Sequence, residues 1–364
     1  MSHEPAAHAP DPLAAICPAP LQEQQRVLLG HGSGGQLSAA LLRDLIGPAL
    51  GQASPGGPLN DAAVLDVGGQ RLAFTTDSFV VSPLAFPGGD IGELAVNGTL
   101  NDLAMMGARP VALSLAYVIE EGLPFEELER VTRSVARAAL AAGVPVVTGD
   151  TKVVGRGAAD RLFVNTAGLG LVPDGRAPAA DRARPGDVVL LSGPIGLHGI
   201  AVMSVREGLE FDVEIASDTR PLHRLVDAVV AALAGEGGPG DLHVLRDPTR
   251  GGLASALNEI AQASGAGIEL DEAAVPVPDP VRAACEMLGL DPLHVANEGV
   301  CVVIVPEPAA KVALAAMRDR PEGAGAVAIG RVVDDHPGMV TLRTAVGSQR
   351  IVDMLVGEQL PRIC

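Results

Sequence analysis

Aromatic side chains are nearly missing from this chain: among 364 residues there is no Trp, one Tyr and six Phe. Its core must therefore be built from Ala, Val, Leu and Ile, and the same shortage argues against stacking platforms for single-stranded nucleic acid. Positive charge is also scarce. Lys and Arg total 26 against 44 Asp and Glu, a net charge of −18, which disfavours phosphate backbones as partners, so no nucleic acid is expected. No run of about 18 apolar residues occurs, so no segment is expected to span a membrane. The opening stretch MSHEPAAHAPDPLAAICPAP lacks a basic start and an unbroken apolar run, unlike a signal peptide. Its five Pro suggest a disordered extension over residues 1–26. The four cysteines, Cys17, Cys285, Cys301 and Cys364, form no C-x-x-C pair. That gives no zinc site by spacing and fits a reducing, cytoplasmic setting.

What is present suggests two domains of ordinary size. RVLLGHGSGGQLSAALLRDLI reads as a Gly-rich loop feeding a helix from about Gln36. NDAAVLDV and RLAFTTDSFV read as short strands with acidic residues at their ends. DIGELAVNGTLNDLAMMGA has helical apolar spacing, with Asp90 as N-cap and Glu93 three residues on. PVALSLAYVI is expected as a buried strand, PFEELERVTRSVARAALAAG as a helix ending at Gly143, and VPVVTGD and RLFVNTAGLGLV as further strands. Loop-like composition in APAADRARPGD marks a domain boundary near residue 180. The second half again mixes strands with helices, so each half is expected to form an α/β sandwich. Alternation alone does not separate a parallel sheet from a mixed α+β one.

Four acidic motifs share one design, an Asp at a strand end or helix start: Asp61 in NDAAVL, Asp77 in TTDSFV, Asp150 in TGDTK and Asp247 in DPTRGG. Asp102, in NDLAMMGA, is a fifth, on the expected helix. Such oxygen ligands suit Mg²⁺; any one Asp taken alone reads more readily as a cap or a turn opener, and it is the five together, each near Gly, Thr or Asn, that shift the balance. Asn97 and Asn101, four apart, share a helix face: a ligand-binding pair or a polar stripe. GHGSGG offers backbone N–H groups at a helix start, which suits phosphate, although no Lys-Ser/Thr follows as in a P-loop. Arg250 in DPTRGGL faces phosphate or covers a helix end. Lys152 and Glu298 suit proton transfer if a cleft holds them, and surface ion pairs otherwise. The chain stops on Cys364, on a tail with Pro361 and Arg362.

Taken together, HGSGG, NDAAVL, TTDSFVVSPLAFPGGDIGELAVNGTLNDLAMMGARP, TGDTKVV, SGPIG followed by HGIAVMSVREGL, DPTRGGLA, NEG and the terminal PRIC resemble the carbamoyl dehydratase (HypE) family of hydrogenase maturation factors. That family lies within a superfamily of ATP-dependent enzymes with the PurM-like fold. The resemblance spans about Val27 to Cys364. It implies an α+β, two-domain PurM-like fold: an N-terminal, AIR-synthase-like ATP-binding and dimerisation domain over 27–180, a C-terminal α/β domain over 181–335, and a segment 336–364 with a flexible tail. It implies ATP with Mg²⁺, and a homodimer formed through the N-terminal halves. By the same resemblance Asp61, Asp77, Asp102, Asp150 and Asp247 hold metal and nucleotide. The family's loop glycines fall on Gly32, Gly34 and Gly35, and Lys152 and Glu298 match residues near the reacting tail at Cys364; beside these, residue chemistry adds Asn97, Asn101 and Arg250 to the expected cofactor site and Arg362 to the reacting groups. The family commonly has Asp where this chain has Leu197.

The implied chemistry places a carbamoyl group, delivered by the carbamoyltransferase HypF, on the Cys364 thiol. ATP phosphorylates its oxygen, loss of phosphate and protons leaves a thiocyanate, and cyanide passes to hydrogenase iron at a HypC–HypD complex. Glu298 is the candidate base, Lys152 the charge stabiliser and Arg362 a cation beside the thiol. A ten-residue tail reaches roughly 30 Å, enough to swing between sites. Two rivals remain at the level of sequence. One is another enzyme of the superfamily, such as selenophosphate synthetase or thiamine-phosphate kinase. The other is a non-catalytic nucleotide-binding scaffold.

Overall fold

The computed structural model describes residues 26–54, 60–175, 178–209, 211, 213–234, 242–357 and 363–364. The expected extension, apart from Arg26, and the catalytic assignment of Arg362 both lie outside the described residues. The N-terminal half runs α1 (Gln36–Ala40), α2 (Gly47–Leu50), β1 (Ala63–Val67), β2 (Gln70–Phe79), β3 (Ala85–Phe86), β4 (Gly89–Asp90), α3 (Ile91–Met105), β5 (Arg109–Glu120), α4 (Phe125–Ala142), β6 (Val146–Val154) and β7 (Leu162–Leu171). Its five-stranded sheet has the order β1-β2-β7-β5-β6. All neighbours are antiparallel except β5 and β6, which run parallel.

Asp90 caps α3 as its spacing predicts, its carboxylate accepting the N–H groups of Gly92 at 2.8 Å and Glu93 at 3.1 Å. Gly143 ends α4 in the left-handed conformation at φ 76°, where a side chain would be strained. α3 is apolar on almost every side and buried along nearly its whole length, as a helix enclosed by protein must be. It packs on the N-terminal sheet where Gly168 admits Thr99 and Leu103. Its far end, Ala104 and Met105, enters a core of the C-terminal half. β5 departs from the expected buried strand. Of its residues only Leu113 is fully buried, because the sheet face opposite α3 is uncovered.

The C-terminal half runs β8 (Val188–Leu191), α5 (Leu197–Arg206), α6 (His223–Ala234), β9 (Val244–Arg246), α7 (Gly252–Ser264), β10 (Gly267–Asp271), α8 (Asp279–Leu288), β11 (Val302–Val305), α9 (Glu307–Arg318), β12 (Val327–Val333), β13 (Val340–Arg343) and β14 (Gln349–Val352). Its seven-stranded sheet, β14-β13-β10-β12-β8-β11-β9, is mixed, with β10 and β13 parallel. VVLL and VVIV read as unbroken apolar runs because both faces of the sheet are covered. Val189, Leu191, Val302 and Ile304 meet Leu253, Leu257 and Ile260 of α7. Val188, Leu190, Val303 and Val305 meet Leu225, Val229, Ala313 and Met317 of α6 and α9. Among the described residues no helix is long and apolar enough to cross a membrane.

Candidate active site at the C-terminal cysteine

Three of the five sequence-marked aspartates converge. Asp61 enters β1, Asp102 lies on α3 and Asp247 follows β9, and each offers an oxygen within 4.8 Å of the others. Asp77 of β2 lies close enough for its charge to act on all three. Burial pushes Asp61 up to about 6, opposed by Arg246, which pairs with it at 3.1 Å. Burial and mutual repulsion drive Asp102 and Asp247 well above the usual carboxylate range. One Asp247 oxygen is buried with no hydrogen-bond partner. Clustered carboxylates of this kind are not all ionised unless a cation neutralises them, so Asp61, Asp102 and Asp247 fit a divalent oxygen-seeking ion such as Mg²⁺.

The terminal cysteine reaches the same region. Ile363 is buried among Phe79, Val81, Ile91 and Ala296, and Cys364 packs partly buried against that cluster. The Val80 N–H donates to the Cys364 main-chain oxygen at 3.2 Å. A cleft of about 180 Å³ runs between Cys364 and the glycine loop, lined among others by Gly32, Ser33, Ser78, Arg250 and Gly251. Burial pushes the Cys364 thiol up to about 12, and Arg250 opposes it. Arg250 is thus the cation that faces the thiol among the described residues. Its guanidinium also donates to the Gly32 carbonyl at 3.4 Å. Gly34, at φ 76°, lies where an added Cβ would stand 2.7 Å from the Arg250 carbonyl oxygen, and at Gly35 it would stand 2.3 Å from that of Leu355. The glycine motif therefore lets the loop lie flat on Arg250 and on the segment leading to the tail.

Glu298 is buried beside α3 near Gly98, where an added Cβ would meet the Phe79 ring at 2.9 Å and Glu298 Oε2 at an ordinary 3.8 Å. Burial raises its carboxyl well above the ordinary range; Asp247, Asp218 and Asp77 reinforce this and Arg250 opposes it. Asn101 is bonded to protein: its amide donates to the Arg220 and Glu298 carbonyls at 3.1 and 3.3 Å, and its oxygen accepts the Leu222 N–H at 2.8 Å. It ties α3 to the Glu298 backbone. Asn97 donates to the Thr219 hydroxyl at 3.3 Å, leaving its own oxygen buried without a partner.

Asp150 and Lys152 stand apart from this site within one chain. They lie inside the edge strand β6, exposed and paired with each other at 2.8 Å. Lys152 and the Thr151 N–H hold the Asp150 carboxyl below its ordinary value. The ladder Ser78–Asn165–Ala116–Asp150 puts Asp150 three strands, about 14 Å, from β2. It also puts it on the face opposite Asp77, since neighbouring residues on a strand alternate sides. A strand-end carboxylate predicted for Asp150 is thus corrected to a mid-strand residue on the outer face. That face is apolar, exposing Leu65, Phe74, Leu169 and Leu171.

Sequence reasoning missed Arg246, Asp218 and His198. Arg246 reads in sequence as a strand end, and Asp218 as loop. Asp218 accepts the Glu298 and Gly299 N–H groups at 3.2 and 3.0 Å.

The family described as AIR synthase related protein, N-terminal domain, matches residues 59–172, and the corresponding C-terminal domain family matches residues 184–343. A carbamoyl dehydratase HypE from Rhodobacter capsulatus is 53% identical over 344 residues, covering 93% of this chain and 98% of that protein. The chain belongs to the carbamoyl dehydratase HypE family. A solved HypE–HypF complex contains a chain 46% identical to this one, with TM-score 0.79, covering 86% of this chain and 100% of that chain. A HypE solved in complex with ATP is 50% identical, with TM-score 0.77, over 93% of this chain and 100% of that one.

Proposed function

We propose that this chain is an ATP-dependent carbamoyl dehydratase that converts an S-carbamoyl group on its own Cys364 into a thiocyanate, the source of cyanide for a [NiFe]-hydrogenase iron centre. The observation that carries this reading is the terminal thiol enclosed at a glycine-loop cleft, facing Arg250 and within electrostatic reach of Glu298 and the Asp cluster. HypE membership and the ATP complex of a relative support ATP as co-substrate. The HypE–HypF complex supports HypF as carbamoyl donor, and a HypC–HypD complex is the proposed acceptor.

The balance is R–S–CO–NH₂ + ATP → R–S–C≡N + ADP + Pi. The carbamoyl oxygen attacks the γ-phosphorus and ADP leaves. The C–O bond then breaks with phosphate as leaving group, while the nitrogen gives up its protons. Ionised Glu298 takes one of those protons, a buried carboxylate being a strong base, and the other leaves on the phosphate as HPO₄²⁻. Arg250 faces the oxyanion or phosphate charge, and the loop of Gly32, Gly34 and Gly35 supplies backbone N–H groups. Asp61, Asp102 and Asp247, with Asp77 adjoining, would hold Mg²⁺, which when bound neutralises phosphate charge. Asp150 and Lys152 sit on the bare apolar sheet face, so in this reading they serve a neighbouring subunit's site across a homodimer. The free thiols of Cys285, Cys301 and Cys364 fit a cytoplasmic setting. Neither a small-molecule kinase nor a scaffold has use for a thiol enclosed in this cleft.

The test is to incubate the chain with ATP, Mg²⁺, the carbamoyltransferase and carbamoyl phosphate, and to weigh the C-terminal peptide. A carbamoyl mass that converts to a thiocyanate mass on Cys364, and is lost in Cys364→Ala, is the expected result. Unchanged modification in Cys364→Ala would sink the proposal.

A further inference from the structure

The motif SGPIGLHGIAVM is not used by the chemistry above, yet it carries a fully buried histidine. His198 lies in the first turn of α5, edge-on to Phe86 with ring centroids 5.3 Å apart. Its Nε2 is 3.0 Å from the Ile363 carbonyl oxygen, and its Nδ1 is 2.8 Å from the Ser217 hydroxyl. A carbonyl only accepts, so Nε2 carries the proton and donates to the tail. In the neutral ring Nδ1 then accepts from Ser217. Burial pushes the His198 pKa down, consistent with that neutral form.

Ser217, Asp218 and Thr219 form one short loop with three duties. Ser217 Oγ meets His198 and also accepts the Thr219 N–H at 3.1 Å. Asp218 accepts the N–H groups of Glu298 and Gly299. Thr219 Oγ1 accepts from Asn97 on α3. The loop is tied to the N-terminal half where the Ser217 N–H donates to Pro87 O at 2.8 Å. The fit at its other side is close, since a Cβ on Gly299 would fall 1.8 Å from the Asp218 carbonyl oxygen. The carbonyl of the penultimate residue is thereby connected, through His198 and this loop, to the backbone that carries Glu298.

We propose that His198 is a positioning residue for the proposed tail reaction: it receives the docked C-terminus through the Ile363 carbonyl, and the Ser217–Thr219 loop registers that docking at Glu298. The proposal rests on the reading of Cys364 as the carrier of the reacting group. It assigns two anchors to the docked tail, the buried Ile363 side chain and the His198 hydrogen bond. Release of both frees the thiol for the carbamoyltransferase.

The test uses the full chain and follows alkylation of Cys364 by iodoacetamide, read on the C-terminal peptide by mass spectrometry. A hydrogen bond of ordinary net strength sets the expected acceleration in His198→Ala at about five- to tenfold. His198→Gln, whose amide N–H donates to the same carbonyl, should restore most of the slow rate. Ile363→Asp should evict the tail, and adding His198→Ala to it should give no further acceleration. Equal rates in the unaltered chain and His198→Ala would overturn the assignment. So would additive effects of the two substitutions, which a merely structural histidine predicts. With carbamoyl-loaded chain, His198→Ala should slow conversion to thiocyanate at least fivefold while loading by the carbamoyltransferase stays at least as fast. The alkylation arms use neither partner nor carbamoyl group, so they decide the docking assignment even if the dehydration reading fails.

Discussion

At the scale of the residue, Glu298 and Cys364 show how burial sets chemistry. Both are held in their protonated forms chiefly by desolvation, with Arg250 the opposing charge on each. Glu298→Gln keeps shape and burial while removing the base, so we expect conversion of carbamoyl to thiocyanate to fall by about 10²–10⁴-fold, measured by the mass of the C-terminal peptide. The sign of the stability effect follows from linkage. The folded-state pKa of Glu298 lies above its unfolded value. Its contribution is fully present below the ordinary carboxylate range and is lost as pH rises toward the folded value. Thermal melts of the nucleotide-free chain at pH 5 and pH 8 should therefore differ less in Glu298→Gln than in the unaltered protein. An equal or larger drop would contradict the assigned shift. Both residues were legible in the sequence, Glu298 in NEG and Cys364 in PRIC. Arg250, noted there for phosphate, also faces the thiol, because that pairing depends on where the tail docks.

At the scale of the element, capping and glycine placement govern the site. α3 was readable from Asp90 and its apolar spacing, but its enclosure on all sides was not, because periodicity records one neighbour at a time. Its Gly98 and Asp102, one turn apart, bring Glu298 and the Asp cluster to one helix. In the glycine loop, Gly34→Ala places a Cβ against the Arg250 backbone at positive φ. We expect a stability loss of about 1–3 kcal/mol in urea titration and roughly tenfold weaker ATP binding by calorimetry. Unchanged affinity would show that the loop does not cradle the nucleotide. Asp150 shows the opposite limit. TGDTK looks like the other acidic motifs, yet sheet register turns it to the outer face, and a one-residue parity of this kind is not visible in composition.

At the scale of the whole molecule, the uncovered N-terminal sheet is the feature that one chain leaves unfinished. Phe74 and Leu169 are ladder partners, and Leu171 and Leu65 each pair with Leu72 on the same face, an apolar surface characteristic of an interface. Phe74→Asp should convert the proposed homodimer to a monomer in sedimentation velocity. If Asp150 and Lys152 act across that interface, the same variant should lower ATP turnover at least tenfold while leaving the monomer folded by circular dichroism. A monomeric variant with full turnover would remove both residues from the mechanism.

The sequence by itself determined the fold class, through its family motifs, the caps at Asp90 and Gly143, and the candidates for the reacting groups. These depend on local spacing and on chemistry that each residue carries wherever it sits. Only the tertiary structure decided which aspartates meet, which cation faces the thiol and what receives the tail. Asp61, Asp102 and Asp247 are joined by the closing of two domains on α3. Asp150 is separated from them by strand order and side alternation. His198, from a motif with no evident chemistry, meets a carbonyl 165 residues away. Contacts across such separations depend on how buried surfaces pack, and no local pattern encodes them.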